Sequence, residues 1–310
     1  MTEPENGASG GLLDLLVLPE RLPDADHGAA PRRPSAARSA GAFLLWALAQ
    51  AVPFVPAGGR LTPDGFRPIM PPLVGVAYGL LLGAAFIWWF AVRRGPEAAY
   101  RHDTFRLRPV APQVLARLPL VAVLLMVMTV ASLILVPRII PVPPQRDTLL
   151  EAYARMPYGT AAILALAAVV APLLEEFFFR GWIQRRLERR MPAGRAILLT
   201  AAIFSAAHFE MFGFPTRLLF GVVAGYVAWS TRSIWPGVVL HGFYNASLLA
   251  GGTGGARDVS EADLTRWAHT PTIFWPVALL FLAAGLLMVV ALRSVARAAG
   301  AAGDAEGPVA

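Results

Sequence analysis

"PLLEEFFFRGW", Pro172–Trp182, closes an apolar stretch that begins near Gly159 and is long enough to cross a bilayer. Two adjacent carboxylates, Glu175 and Glu176, sit among its leucines and phenylalanines. Near the bilayer centre a carboxylate costs roughly 2.5–3.5 kcal/mol on insertion scales. Membrane helices carry such groups for a proton, an ion or chemistry on a substrate.

The rest of the chain gives this stretch a membrane setting. Of 310 residues, 56% are apolar and 15% charged, against about a quarter charged in soluble domains. The mean hydropathy is +0.55. Such a composition belongs to a polytopic membrane protein. No lysine occurs, so the 27 basic residues are all arginine. They fall between apolar runs, where they set topology, and form no basic face for nucleic acid. The absence of cysteine excludes disulfides, thiolate catalysis and cysteine metal sites. Residues 1–37 are polar and rich in Pro, Ala and acids, and read as a disordered cytoplasmic tail. Residues 294–310 read as a flexible C-terminal tail, which leaves 38–293 as the transmembrane domain.

A span needs about 20 apolar residues. Eight candidates meet or approach this length: Ala40–Val55, Ile69–Val92, Leu118–Val136, Gly159–Phe179, Ala196–Phe212, Leu218–Ser230, Ile234–Ala250 and Thr272–Leu292. The fold class expected is therefore all-α, a polytopic bundle of about eight transmembrane helices. With the N-terminus inside, most of the arginines fall on the side shared by both termini. The positive-inside rule then makes both termini cytoplasmic. Residues 142–157 carry charges at helical spacing and are expected as a surface helix on the other side.

Of the 20 acidic residues only Glu175, Glu176 and Glu210 fall in these spans, and of the 5 histidines only His208 and His241. The ionisable set is small and confined to the fourth, fifth and seventh candidates. Glu176 and Arg180 are four apart and share a helix face, so they can pair. Glu175 points about 100° away from Glu176 and is free for another task. Phe204 and His208 are four apart in "FSAAH", and His241 and Asn245 are four apart in "HGFYN". At about 1.5 Å per residue, His208 lies about 18 Å and His241 about 10 Å from the inner face. Counted this way, Glu175, His208, His241 and Asn245 all lie between the midplane and the cytoplasmic side. A polar network that only locks helices together is the plain alternative. Glu210, near the outer end of its span, reads as an interfacial carboxylate.

"EEFFFR", "FSAAH" and "HGFYN", in this order on successive apolar segments, resemble the three signature motifs of the CPBP family. This family comprises the CAAX prenyl endopeptidases of type II and the bacteriocin-processing proteins, also called Abi. The resemblance covers about residues 158–250, and no motif position departs from the pattern. It implies an all-helical intramembrane protease opening to the cytosol. It also implies that several bacterial members do work other than cleaving prenylated proteins.

Peptide hydrolysis needs an activated water, a stabilised oxyanion and a proton for the leaving amine. A glutamate in a low-dielectric cavity has a raised proton affinity and suits a general base. Glu175 takes that role in this reading, with His208 holding the same water. His241 and Asn245 face the developing oxyanion, where aimed donors typically contribute ~3–4 kcal/mol. Glu176 and Arg180 fix the helix end and orient Glu175, and Phe204 shares the face of His208. These roles are also what the resemblance implies. A metal version uses Glu175, His208 and His241 as zinc ligands with one position open for water. No HExxH pair occurs, and both versions stay open at this stage. Expected partners are membrane lipid and a membrane-associated or lipidated peptide or protein. The arginine-only, Ala- and Gly-rich composition points to a bacterial plasma membrane. Two other function classes compete: a non-catalytic scaffold or immunity-type member of the same fold, and a proton-coupled transporter.

Overall fold

The computed structural model describes residues 60–62, 65–67, 72–87, 105–143, 154, 156–253 and 259–305. The expected N-terminal tail, the first candidate span and most of the expected surface helix lie outside the described residues.

Each candidate from the second to the eighth has its helix: α1 (Pro72–Ile87), α2 (Leu118–Leu135), α3 (Gly159–Glu188), α4 (Ala193–Ala206), α5 (Phe214–Thr231), α6 (Trp235–Thr253) and α8 (Pro271–Ala305). A short helix outside the candidates, α7 (Glu261–His269), precedes α8. An antiparallel hairpin, Arg60–Thr62 with Gly65–Arg67, precedes α1. Among the described residues three stretches are long and apolar enough to cross a membrane: Pro112–Arg138, Gly159–Glu188 and Pro271–Ala301. The all-α membrane bundle is thus what the chain forms. Several boundaries differ from expectation, and α3 runs on past Phe179 to Glu188. Helix α8 runs on to Ala305, through residues expected as tail. Helix α4 stops at Ala206, so His208 and Glu210 stand in the α4–α5 loop and not in a span.

The early stop of α4 has local causes. The amides of His208 and Phe209 close tight turns onto the Ser205 and Ala206 carbonyls. Phe209 then takes a left-handed backbone, φ 53°. A bulky side chain adopts that conformation only where its surroundings enforce it. The Ser205 hydroxyl donates to the Phe214 carbonyl at 2.6 Å and ties the loop shut. Apolar residues continue through Phe212, so hydropathy alone carries the span too far.

Burial separates the central helix from the lipid-facing one. In α3, 61% of the apolar window is buried, and in α8 only 11%. Leu279, Leu282, Leu286 and Val290 of α8 are exposed and form a face for acyl chains. The core is aromatic: Phe105, Phe177, Phe178, Phe179, Phe204 and Phe220 are all buried. Phe105 stacks on Phe177 with centroids 4.7 Å apart, and Phe179 meets Phe204 edge-on at 5.1 Å. Lipid is as apolar as leucine, so close packing is what holds such helices together. Helices α4 and α5 meet at Gly221, where a Cβ would lie 2.8 Å from that of Ala201.

Helices α3 and α5 run parallel: Arg180 and Gln184 of α3 donate to the Gly221 and Gly225 carbonyls of α5. The Glu188 end of α3 is strapped down by the segment before α2. Arg106 pairs with Glu188, and the Ile234 amide donates to the Arg106 carbonyl. The Ser233 hydroxyl and the Trp235 indole donate to the carbonyls of Arg108 and Leu107.

Candidate active site

Helix α3 widens twice into π turns, at Leu166–Val170 and at Glu176–Gln184. Such turns are costly, and they recur at functional sites. The first receives α6: Asn245 Nδ2 donates to the Ala167 carbonyl at 2.8 Å. Beside it, a Cβ on Gly242 would run into the Ala168 carbonyl oxygen, so glycine alone permits this approach. The second starts at Glu176 and turns the two carboxylates toward different partners.

Glu176 is fully buried and paired. Arg180 Nη1 donates to its Oε1 at 2.8 Å, the i,i+4 pair the spacing predicts. His241 Nδ1 contacts the same oxygen at 2.9 Å. The Arg180 guanidinium lies over the Phe204 ring at 4.7 Å and the Phe220 ring at 5.7 Å. Phe220 also packs on the His241 ring at 4.4 Å. Phe204 and Phe220 therefore wall the arginine and the imidazole together and fix both. Phe177, Phe178 and Phe179 point into the core and meet no lipid.

Glu175 faces the other way, into a cavity of about 290 Å³. Its Oε2 lies 3.8 Å from His241 Nε2, beyond a direct hydrogen bond and near enough to share a water. The same cavity is lined by His208, His241, Asn245 and Phe204. All four residues expected to act on substrate thus meet around one space. His208 Nδ1 donates to the Phe204 carbonyl at 2.8 Å, since a carbonyl only accepts. A neutral His208 consequently presents Nε2 as an acceptor. Asn245 retains its second amide N–H beyond the bond to Ala167.

Among the described residues no three of His, Asp and Glu come close enough together to hold a metal ion. His241 has one nitrogen on Glu176 and only the other toward Glu175. Glu210 lies away from the cavity lining. It accepts from the amides of Phe212 and Gly213 and pairs with Arg217 at 2.7 Å.

Other wall residues escape the motif reading. Thr129 and Ser132 of α2 line the cavity, and Thr129 Oγ1 lies 3.2 Å from the Tyr244 hydroxyl. Polar groups three apart in an otherwise apolar span, "MTVAS", were a usable signal. Arg217 and Phe220 also line the cavity, and nothing in their local sequence marks them.

Residues 157–247 match the model of a protein family described as Type II CAAX prenyl endopeptidase Rce1-like. No curated protein and no solved structure matches the chain. The matched segment runs from the turn before α3 into α6 and contains every residue of the three motifs. Over residues 157–247 the chain is therefore similar to the Rce1-like type II CAAX prenyl endopeptidases, and its long apolar helices are those of a membrane protein.

Proposed function

We propose that the protein is an intramembrane endopeptidase that hydrolyses a peptide bond of a membrane-associated substrate with a water activated by Glu175 and His208. The observation that carries this reading is the convergence of Glu175, His208, His241 and Asn245 on one cavity from three separate parts of the chain.

Glu175 takes a proton from the water, and the water oxygen bonds to the scissile carbonyl carbon. His208 Nε2 accepts the second water hydrogen and holds the nucleophile in line. The carbonyl electron pair moves onto oxygen, where the free Asn245 N–H and His241 Nε2 face the negative charge. The oxyanion pair then re-forms the carbonyl as the carbon–nitrogen bond breaks, Glu175 passes its proton to the leaving amine, and the remaining hydroxyl proton goes to solvent as the new acid ionises. The products are a new carboxylate and a new amine. A positioned base of this kind contributes roughly 10²–10⁴-fold, and each oxyanion donor about 10²–10³-fold.

A zinc-dependent version would require Glu175, His208 and His241 to close on one ion, a rearrangement from the geometry described. Metal analysis of the purified protein, with chelation and add-back, separates the two versions. A scaffold or a transporter would use the same buried groups without bond cleavage. Comparing membrane peptides from cells carrying the wild type or Glu175→Gln decides this. Fragments present only with the wild type support proteolysis, and identical peptide sets contradict it.

A further inference from the structure

Of the four residues proposed to act on substrate, His208 alone stands in a loop; Glu175 is on α3, and His241 and Asn245 are on α6. What fixes that loop therefore fixes one side of the site. His208 itself is bonded back to the last turn of α4: its amide donates to the Ser205 carbonyl, and Nδ1 to the Phe204 carbonyl at 2.8 Å. The Ser205–Phe214 bond joins the two helices at the base of the loop. Between these ends, Phe209 and Met211 turn outward, 87% and 70% exposed, so packing within the bundle does not hold the tip.

Glu210, between those two, is held by polar bonds instead. Its carboxylate accepts from the amides of Phe212 and Gly213. These amides lie just ahead of α5's own hydrogen bonds and need an outside acceptor. Arg217 Nη2, in the first turn of α5, donates to Glu210 Oε2 and to the Glu210 carbonyl, each at 2.7 Å. One guanidinium group thus grips both the side chain and the main chain of a residue two positions from His208. Gly213 makes room for this clasp. Its backbone, φ −83° and ψ 0°, is open to residues with a side chain, so conformation does not call for glycine there. A Cβ, however, would lie 2.5 Å from Arg217 Nη1 and 2.7 Å from Glu210 Oε2. Arg217 also lines the cavity, so the clasp ties the loop to the cavity wall.

We infer that Glu210 and Arg217, with Gly213 leaving them space, are positioning residues that hold the His208 imidazole at the cavity. Glu210 touches no reacting atom; it acts through the loop. The effect on turnover rests on the peptidase reading above, and the effect on the loop does not.

Two variants of the full-length protein break the clasp differently: Glu210→Ala removes a partner, and Gly213→Ala only crowds the pair. In both, amide hydrogen exchange of residues 207–213 should accelerate about tenfold or more, with α3 and α6 unchanged as a check on folding. In proteoliposomes with a membrane-spanning peptide, Glu210→Ala should lower kcat on the order of 10–100-fold. KM should stay within about twofold, since no contact with substrate is lost. Added to His208→Ala, Glu210→Ala should cost nothing further, because it acts only through that imidazole. Glu210→Gln keeps an acceptor oxygen and should recover part of kcat. Unchanged exchange in the loop overturns the inference, and so does an equal loss of kcat with or without His208. Accelerated loop exchange in a protein that cleaves nothing supports the clasp while contradicting the peptidase reading.

Discussion

Arg180 has no route to water. Glu176, the Gly221 carbonyl and the rings of Phe204 and Phe220 enclose it. Removing one partner of such a pair strands a buried charge, which costs about 3–5 kcal/mol. Arg180→Met should lower stability by that order in detergent-solubilised protein, read as a loss in denaturation midpoint. Adding Glu176→Gln should recover part of the loss, because the stranded carboxylate is then gone. The pairing itself was legible, since i,i+4 spacing dictates it. The third member of the network, His241, was not. Nothing in "HGFYN" says that one imidazole nitrogen turns to Glu176 and the other toward Glu175. That division depends on the angle at which α6 crosses α3.

At the scale of elements, the π turns of α3 and the glycines facing them set that crossing. Gly242→Ala should push α6 off the Ala168 carbonyl. The expected cost is about 1–3 kcal/mol, typical of overpacking, together with loss of the proposed peptidase activity as Asn245 and His241 are displaced. A denaturation curve and a turnover assay on the same preparation check it. Helix α7 is set by a capping box: the Ser260 hydroxyl accepts from the Asp263 amide, and Asp263 accepts from the Ser260 amide and hydroxyl. Those Ser260 donors hold the Asp263 carboxyl below its ordinary range. The stabilisation is therefore present above the ordinary Asp pKa and lost as pH falls through the depressed value. Amide hydrogen exchange in α7 should accelerate only in that acid window. Ser260→Ala should accelerate it at neutral pH, at a cost of about 1 kcal/mol. Most helices could be read from hydropathy and breaks. The end of α4 could not, because apolar composition hides a turn made by a left-handed Phe209.

Across the whole molecule, burial explains why α3 can carry the proposed chemistry. It is the most enclosed of the three long apolar helices, and α8 the least. A carboxylate on α8 would face acyl chains, whereas Glu175 on α3 faces a cavity whose walls include His208, His241 and Asn245. The three motifs announced that Glu175, His208, His241 and Asn245 belong together. The second walls of the cavity, from α2 and the start of α5, are long-range contacts, and no residue pattern encodes them.

The most direct measurement is oxygen-isotope incorporation. The purified full chain is reconstituted in proteoliposomes with membrane-spanning peptides in H₂¹⁸O, and the products are read by mass spectrometry. One ¹⁸O atom is predicted in the new C-terminal carboxylate, with both its formation and the cleavage lost in a Glu175→Gln variant of unchanged melting behaviour. Cleavage that persists at the wild-type rate in Glu175→Gln would contradict Glu175 as the group that activates the water.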